Sequence, residues 1–419
     1  MPSFAIPLTG LNANSVALNT IGNNLANMNT TAFKSQTATF SSLFYQNLGT
    51  TGSGDALQEG LGTQVAGTST NFTGGSLNKT TTSTDMAING SGYFVVQRDG
   101  QQELTRAGNF QLDSSGNLIT SAGLNVMGYA GANGVVNTNT PLAALQVPVN
   151  ATQAASATSK FSLAANLNAS TAVGGQFSTT VKMFDSLGTS HAATVTFTRA
   201  TVGTGTTDST WTYAITLPAG DQATVNTVAN TTGTLSFLPS GALDTTPAVL
   251  PNTTGITFNN MSDGATSMSF NWNLSDSSGP LIEQTVGTST VNSGTQDGFA
   301  SGSYSSFSVD ASGIISATFS NGNTEKVGEL AIASVTNSEG LELAGGNNYT
   351  TTQASGAASV GAPGAGGRGS VEDDTLEASN VDISTEFADL IVAQRAFEAN
   401  SKTVTTFDTV TQETINMIH

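Results

Sequence analysis

The stretch "FDSLGTSH", residues 184–191, gathers Asp185, Ser190 and His191, the residue types of an orienting carboxylate, a nucleophile and a base. Groups this close along one turn rarely converge in the geometry of a triad. The stretch therefore reads as a hairpin with a surface histidine, and replacing His191 is expected to be nearly silent. "GAGGRG" at 364–369 matches the letters of a dinucleotide-binding G-x-G-x-x-G. Pro363 and small residues precede it where a buried strand is needed, and "SVEDD" follows where a helix should receive a phosphate, so it reads as a flexible linker. The overlapping 361–368 stretch also misses a phosphate-binding loop, because Gly-Arg stands where Gly-Lys-Ser/Thr is required. "DSSGN" at 113 and "DASG" at 310 begin like calcium loops but lack the later oxygen ligands and distal glutamate. They read as turns. With no cysteine and only one histidine besides His419, the sequence offers no metal-ligand spacing, and neither an enzyme nor a cofactor is expected.

Bulk charge narrows the partners. Eleven basic against 29 acidic side chains give a formal net charge of −18, with no Lys/Arg cluster to neutralise phosphates, so nucleic acid and anionic membrane are poor partners. The N-terminus lacks the basic region and cleavage site of a secretory signal, and Asn interrupts its apolar residues too often for a membrane span. No membrane insertion is expected, and any export proceeds without a cleaved signal peptide. Charged residues make up 10% of the chain, against about 25% in ordinary globular proteins, while glycine reaches 46 residues. That composition suits turn-rich β structure with uncharged polar faces. A chain of 419 residues can hold two or three domains with cores of their own.

The elements follow from periodicity. Leu11, Leu18 and Leu25 lie seven apart, with Ile21 and Met28 on a second seam in which Asn14 takes one place. At the other end Ile383, Leu390, Phe397, Val404 and Ile418 lie on one seven-residue ladder broken by Thr411, with Phe387 and Ile391 alongside. Both ends read as narrow-striped helices that pair with each other, making every intervening domain an insertion. "IGNNLANMNTTAFK" (21–34) poses a problem within that reading, because Asn23, Asn24, Asn27 and Asn29 weaken an isolated helix. Such a segment needs a partner that satisfies its amides. Between the ends, Asn-Gly or Asp-Gly pairs at 89, 99, 133, 263, 297 and 321 mark hairpins. "GYFVVQRDGQQELTRAGNFQLDSSGNLIT" reads as strand, turn, strand, strand, turn, strand. Trp211, Tyr213, Ile215 and Leu217, then Met268, Phe270, Trp272 and Leu274, alternate as strands of a separate barrel or sandwich with one buried face. Residues 49–76 and 355–370 are rich in Gly, Ser, Thr and Ala and read as paired connectors. The expected fold class is mostly β with terminal α-helices, the β domains nested between N- and C-terminal helices that form an antiparallel coiled-coil-like pair.

"NSVALNTIGNNLANMNTTAFK" (14–34) resembles the N-terminal signature of the bacterial flagellar rod and hook proteins, and "SNVDISTEFADLIVAQRAFEANSKTVTTFDTV" (379–410) resembles their C-terminal signature. "DMAINGSGYFVV" (85–96), "LTRAGNFQLDSSGNL" (104–118), "QDGFASG" (296–302) and "FSNGNTEKVGELAIASVTNSEGLE" (319–342) look like the family's inner β domain. Length and a single large insertion favour the hook branch. Two departures stand out: Ala32 precedes Phe33 where the family often has Gly, and Phe397 stands where Tyr is common. Both are read as preserving apolar packing. The resemblance implies a helical tube core at 1–30 with 373–419, a connector region at 31–70 with 355–372, an inner β domain at 71–147 with 284–354, and an outer inserted β domain at 148–283.

It further implies an extracellular structural subunit of the flagellum that polymerises with itself into a curved tube, a universal joint passing motor torque from rod to filament. Implied partners are the rod distal protein, the hook cap, the hook–filament junction protein and the flagellar export apparatus. Assembly is expected to use Leu11, Asn14, Leu18, Ile21, Asn23, Asn24, Leu25, Asn27, Ile383, Phe387, Leu390, Gln394, Arg395, Phe397, Val404 and Ile418, with Leu11, Leu18, Ile21 and Leu25 burying against Ile383, Leu390, Phe397 and Val404 and the pair packing against copies from neighbouring subunits. Gly361, Gly364, Gly366, Gly367 and Gly369 are expected to act as a hinge. The terminal segments are expected to be largely unstructured in the monomer and to fold on assembly. A secreted β-rich adhesin or polysaccharide-binding module is the alternative, though it leaves the two helical ends unexplained.

Overall fold

A computed structural model describes residues 5–50, 54, 56–132, 134–205, 207–223, 227–246 and 253–418. It is mostly β, with long helices only at the ends among the described residues: α1 (Ala5–Ala26) and α2 (Ile383–Ile418). The chain divides into two compact units, residues 1–149, 306–317 and 325–419 in the first and residues 150–305 with 318–324 in the second.

In the first unit, strands run in the order Thr324–Leu330, Asn125–Ala132, Tyr93–Arg98, Gln101–Thr105, Asn348–Thr350 and Glu342–Gly345. The turn between Tyr93–Arg98 and Gln101–Thr105 is the Asp99-Gly100 pair, both at positive φ (48° and 87°), as a tight hairpin matched to strand twist requires. Asp113 holds its turn through a carboxylate that accepts from the N–H groups of Ser115 and Asn117, both at 2.8 Å. Tyr93, Val95, Leu104, Met127, Tyr129 and Tyr349 pack one core, with Phe72 edge-on to Tyr93. Two short ladders bring the chain ends to this body: Ser370–Asp373 pairs with Met86–Asn89, and Thr375–Glu377 with Leu77–Lys79.

The second unit is a sandwich. One sheet orders Gln176–Phe184, Ser190–Thr201, Ser209–Thr216 and Thr232–Phe237. The other centres on Lys160–Asn168, flanked by Met268–Asn273, Ile282–Thr285 and Thr290–Gln296. The alternating strands behave as their pattern demands. Trp211, Tyr213, Ile215, Met268, Phe270, Trp272 and Leu274 are buried in one core, with Leu217 packed against it. Trp272 stacks on Phe161 with ring centroids 5.4 Å apart and meets Tyr213 edge-on at 5.0 Å. Gln284 Oε1 accepts from Trp211 Nε1 at 3.0 Å and so links the two sheets.

Some expectations need correcting. The outer domain does not stop at 283, because Thr290–Gln296 pairs antiparallel with Lys160–Asn168 and the second unit continues to Ser305. Thr290–Gln296 is mostly exposed and carries no apolar alternation that could have announced it. Asp297-Gly298 is not a hairpin either: the Asp297 carboxylate accepts from the N–H groups of Ser159 (2.8 Å) and Lys160 (3.0 Å) and ties two strand ends together. The tight turn expected at Asn133 lies outside the described residues. No described helix is long and apolar enough to cross a membrane.

Candidate functional site

α1 and α2 pair antiparallel. Asn24 Nδ2 donates to Glu386 Oε1 at 2.8 Å near one end of the pair. Near the other end a Cβ at Gly10 would stand 2.9 Å from Asn400 Oδ1, so the absence of a side chain there sets how closely the helices approach. The contact on α1 runs along small and amide residues at 3-4 spacing. Ala13, Thr20 and Asn24 are buried along it, and α2 answers with buried Ala393 and half-buried Glu386, Leu390 and Asn400. Small residues let backbones come together where large ones would hold them apart.

The expected leucine stripe is therefore only partly the pairing seam. Leu11, Leu18, Ile21, Leu25, Leu390 and Val404 are half-buried, but Ile383, Phe387 and Phe397 are exposed, as are Gln394 and Arg395. Arg395 pairs only with its neighbour Glu398, at 3.2 Å on the surface. The Ile418 side chain lies outside the described residues. Of the asparagines, only Asn24 finds its partners on other elements. It is 1% exposed, its Nδ2 also donates to Gln36 O at 2.8 Å, and its Oδ1 accepts from Gln36 N at 2.9 Å. Asn14 donates back to Gly10 O within α1, and Asn27, just past its end, donates back to Asn23. Thr9 Oγ1 accepts from Thr63 N at 3.2 Å, which fastens α1 to the antiparallel pair of Gln36–Ser42 with Thr63–Thr70.

Just beyond the helices lies a buried ionic joint that the sequence reading did not assign. Glu377 pairs through Oε1 with Lys34 Nζ and through Oε2 with Arg106 at 3.3 Å, and Oε1 also accepts from Gly75 N at 3.0 Å. Lys34 donates in addition to Thr73 O at 2.8 Å, and Arg106 to Gly90 O at 2.6 Å and Ile88 O at 3.1 Å. Burial pushes the Lys34 ammonium below its usual value, and the pair with Glu377 pulls it back up. Asn380 closes the same joint, accepting from Ser35 N at 2.7 Å and donating to Asn71 O at 2.8 Å. Four stretches of chain, 34–35, 71–75, the Arg106 strand end and 377–380, thus meet on one carboxylate and one amide. Lys34 and Asn380 both stand inside the quoted terminal signatures, and Lys34 is the first charge after a long uncharged run. Those were the signals available.

Ala32, next to this joint, is buried with φ of 55°, the left-handed region where a Cβ is disfavoured. The alanine in place of glycine is thus a backbone matter, and reading it as apolar packing alone was incomplete.

The glycine stretch at 361–369 is a hydrogen-bonded loop and not the free linker expected. Gly361 ends a strand paired with Ile332–Ser334, and Gly364 N donates to Gly369 O at 2.9 Å. Gly369 N donates to Ser91 O at 2.7 Å. Arg368 reaches back to Ala365 O at 2.8 Å and Ser359 Oγ at 3.1 Å. Gly364, Gly366 and Gly367 all take positive φ, the conformation glycine supplies at little steric cost.

His191 is not on the surface. It is 5% exposed, with Nδ1 2.7 Å from Asp221 Oδ2 and Nε2 3.0 Å from Asp185 Oδ2. Ser190 is exposed on the strand beside it and has no hydrogen bond to the imidazole, so no nucleophile–base pair forms. The convergence of Asp185, His191 and Asp263 is also a grouping the sequence reading did not contain.

Comparison with known proteins bears on the whole chain. Residues 7–34 match the family model "Flagella basal body rod protein" and residues 373–417 "Flagellar basal body rod FlgEFG protein C-terminal". Between them, residues 87–158 match "Flagellar hook protein FlgE/F/G D1 domain" and residues 162–299 "Flagellar basal body protein FlaE D2 domain". The chain is similar to the flagellar hook protein FlgE of Salmonella typhimurium, 33% identical over 430 residues that cover 99% of this chain and 100% of that protein. It is likewise similar to FlgE of Treponema pallidum, 29% identical over 100% of this chain and 99% of the relative. The crystal structure of Helicobacter pylori flagellar hook protein FlgE2 shares the fold, with a TM-score of 0.55 and 16% identity over 72% of this chain and 100% of that one. These comparisons do not support the adhesin alternative. Helices at both ends, two β units between them and an end-to-end match to hook proteins agree: the chain belongs to the flagellar hook protein family and is a structural subunit of the flagellar hook.

Proposed function

We propose that the chain polymerises head to tail into a curved tube that acts as a universal joint, passing torque from rod to filament, with the paired terminal helices as its core. The observation that carries this reading is the uncovered apolar surface of the ends. On α2, Ile383, Phe387 and Ile391 recur every four residues and are 44%, 52% and 58% exposed. On the arm that leaves α1, Phe44 is 85% exposed and Tyr45 62%. Apolar surface repeated on one helix face asks for a second apolar surface. A heterologous contact between copies supplies one and, without closing, propagates as a helix. Between α1, α2 and the strand Gln36–Ser42 a groove of about 230 Å³, lined by Ala17, Ile21, Phe40, Val392 and Ala396, suits an inserted apolar side chain.

The rod distal protein, hook cap and junction protein would meet the same terminal surfaces, and the subunit would reach them through the flagellar export apparatus. Compliance between tube core and β body is assigned to the 361–369 loop, bending about its Arg368 clasp. The sparse charge of the Thr/Ser/Asn surface lets neighbouring subunits slide without breaking strong ion pairs.

Electron microscopy under polymerising conditions tests the reading. Full-length protein should form tubes, while a variant lacking residues 1–26 and 383–419, which keeps the Glu377 joint, should remain monomeric. Tubes from both would remove the terminal helices from the assembly mechanism.

A further inference from the structure

In the second unit, His191 is surrounded by carboxylates. Asp221 takes its Nδ1, and Asp185, fully buried, faces its Nε2. Asp263 completes the group, and one ligand atom each from Asp185, His191 and Asp263 lie within 4.8 Å of one another. Among the described residues no lysine or arginine pairs with any of the three carboxylates. Two of them, Asp185 and Asp263, bring carboxylate oxygens within 4.8 Å of each other. Like charges at that distance need a proton or a cation between them.

The local structure favours the cation. Asp185 opens a tight turn, where its Oδ1 accepts from Leu187 N and Thr189 N, both at 2.9 Å, leaving Oδ2 toward the imidazole. Asp221 holds the imidazole through Nδ1 at 2.7 Å and so turns Nε2 toward Asp185; without metal a proton on Nε2 can bridge to Asp185, and a divalent cation at Nε2 displaces that proton while leaving the Asp221 contact in place. A carboxylate that orients a histidine through the far nitrogen is the arrangement found behind metal-binding imidazoles. A separation of 3.0 Å between Nε2 and Oδ2 also suits two ligands on one metal ion.

We propose that Asp185, His191 and Asp263 bind a divalent transition-metal ion of the zinc class, with Asp221 as the positioning residue for the imidazole. One nitrogen and two oxygens suit such an ion better than calcium or magnesium, which prefer all-oxygen shells. Solvent reaches the exposed Asp263 side and can supply the remaining ligands. The ion joins the 185–189 turn, the strand that begins at Ser190 and the 259–264 loop. It thereby cross-links a unit that has no cysteine to do so.

Calorimetric titration of the full-length monomer with zinc chloride tests the proposal, with extended X-ray absorption to identify the ligands. One Zn²⁺ per chain is expected, with a Zn–N distance of about 2.0–2.1 Å. Asp263→Asn, at an exposed position where Asn can still accept from Ala265 N, should abolish saturable binding without loss of fold by circular dichroism. His191→Gln should do the same. Asp221→Asn should weaken binding about 10–100-fold, and His419→Gln should leave it unchanged. Absence of saturable binding at millimolar zinc, or binding undiminished by Asp263→Asn, overturns the site. Because Asp263→Asn reports alone, a misfolded His191→Gln would not spare the proposal.

Discussion

Replacing Glu377 with alanine would take the counter-ion from two buried cations at once. The side chains of Lys34 and Glu377 are 1% exposed and that of Arg106 is 10%, so water cannot take over the lost contacts without opening the joint. Breaking a buried ion pair from one side costs about 3–5 kcal/mol, because the charge left behind stays desolvated. Gly75 N loses its acceptor as well, for about another 1–3 kcal/mol if it stays buried. These losses share one relaxation and do not add fully, so about 4 kcal/mol is expected, a large share of a domain's roughly 5–15 kcal/mol. Glu377→Gln keeps an acceptor oxygen and the volume and should cost less than Ala. The assay is urea unfolding followed by circular dichroism and by tryptophan fluorescence. Both tryptophans, Trp211 and Trp272, lie in the core of the second unit, so fluorescence reports that unit while helix ellipticity reports the first. Glu377→Ala should lower the midpoint of the ellipticity transition and spare the fluorescence one. A loss under about 1 kcal/mol in the ellipticity transition would refute the claim that this carboxylate holds the joint, since that is the range of a solvent-exposed pair.

Asn24→Ala removes three hydrogen bonds from a buried position and orphans Gln36 N, for about 1–3 kcal/mol. Hydrogen exchange should show lost protection along α1, and unchanged protection would discard Asn24 as the pin. Ala32→Gly relieves roughly 1–2 kcal/mol of left-handed strain against about 0.5–1 kcal/mol of added chain entropy. Thermal unfolding should show a neutral to slightly stabilised protein, and a clear drop in midpoint would mean that the buried methyl outweighs the strain. Burial, with Asp389 beside it, pushes Glu386 above its usual value of 4.5, against the hydrogen bond from Asn24. An acid whose folded value is raised binds more protons folded than unfolded, so helix pairing should strengthen as pH falls from neutrality toward 4.5 and weaken on the way back. Melting of the helical signal against pH checks this, and Glu386→Gln should flatten the slope.

The two terminal helices, the β interior and the sandwich strands were legible because each announces itself locally. A seven-residue ladder, an Asp-Gly turn at 99 or the alternation of Met268, Phe270, Trp272 and Leu274 needs nothing from distant sequence. The pairing seam was not legible in the same way. The large apolar residues drew the eye to Leu11 and Leu18, whereas the close approach runs through Gly10, Ala13, Thr20 and Asn24, where having little side chain is the qualification. The ladder's exposed members, Ile383, Phe387 and Phe397, are left for a surface outside the single chain.

The sequence alone thus determined the class of fold, the helical ends and the family, because periodicity, turn chemistry and two long signatures are properties of neighbouring residues. Only the tertiary structure decided which groups meet. Lys34 finds Glu377 across 343 residues, Asn24 finds Glu386 across 362, and His191 is enclosed by Asp185, Asp221 and Asp263 from three separate loops. Burial and electrostatics act between atoms brought together by the folded backbone, and spacing along the chain carries no record of them.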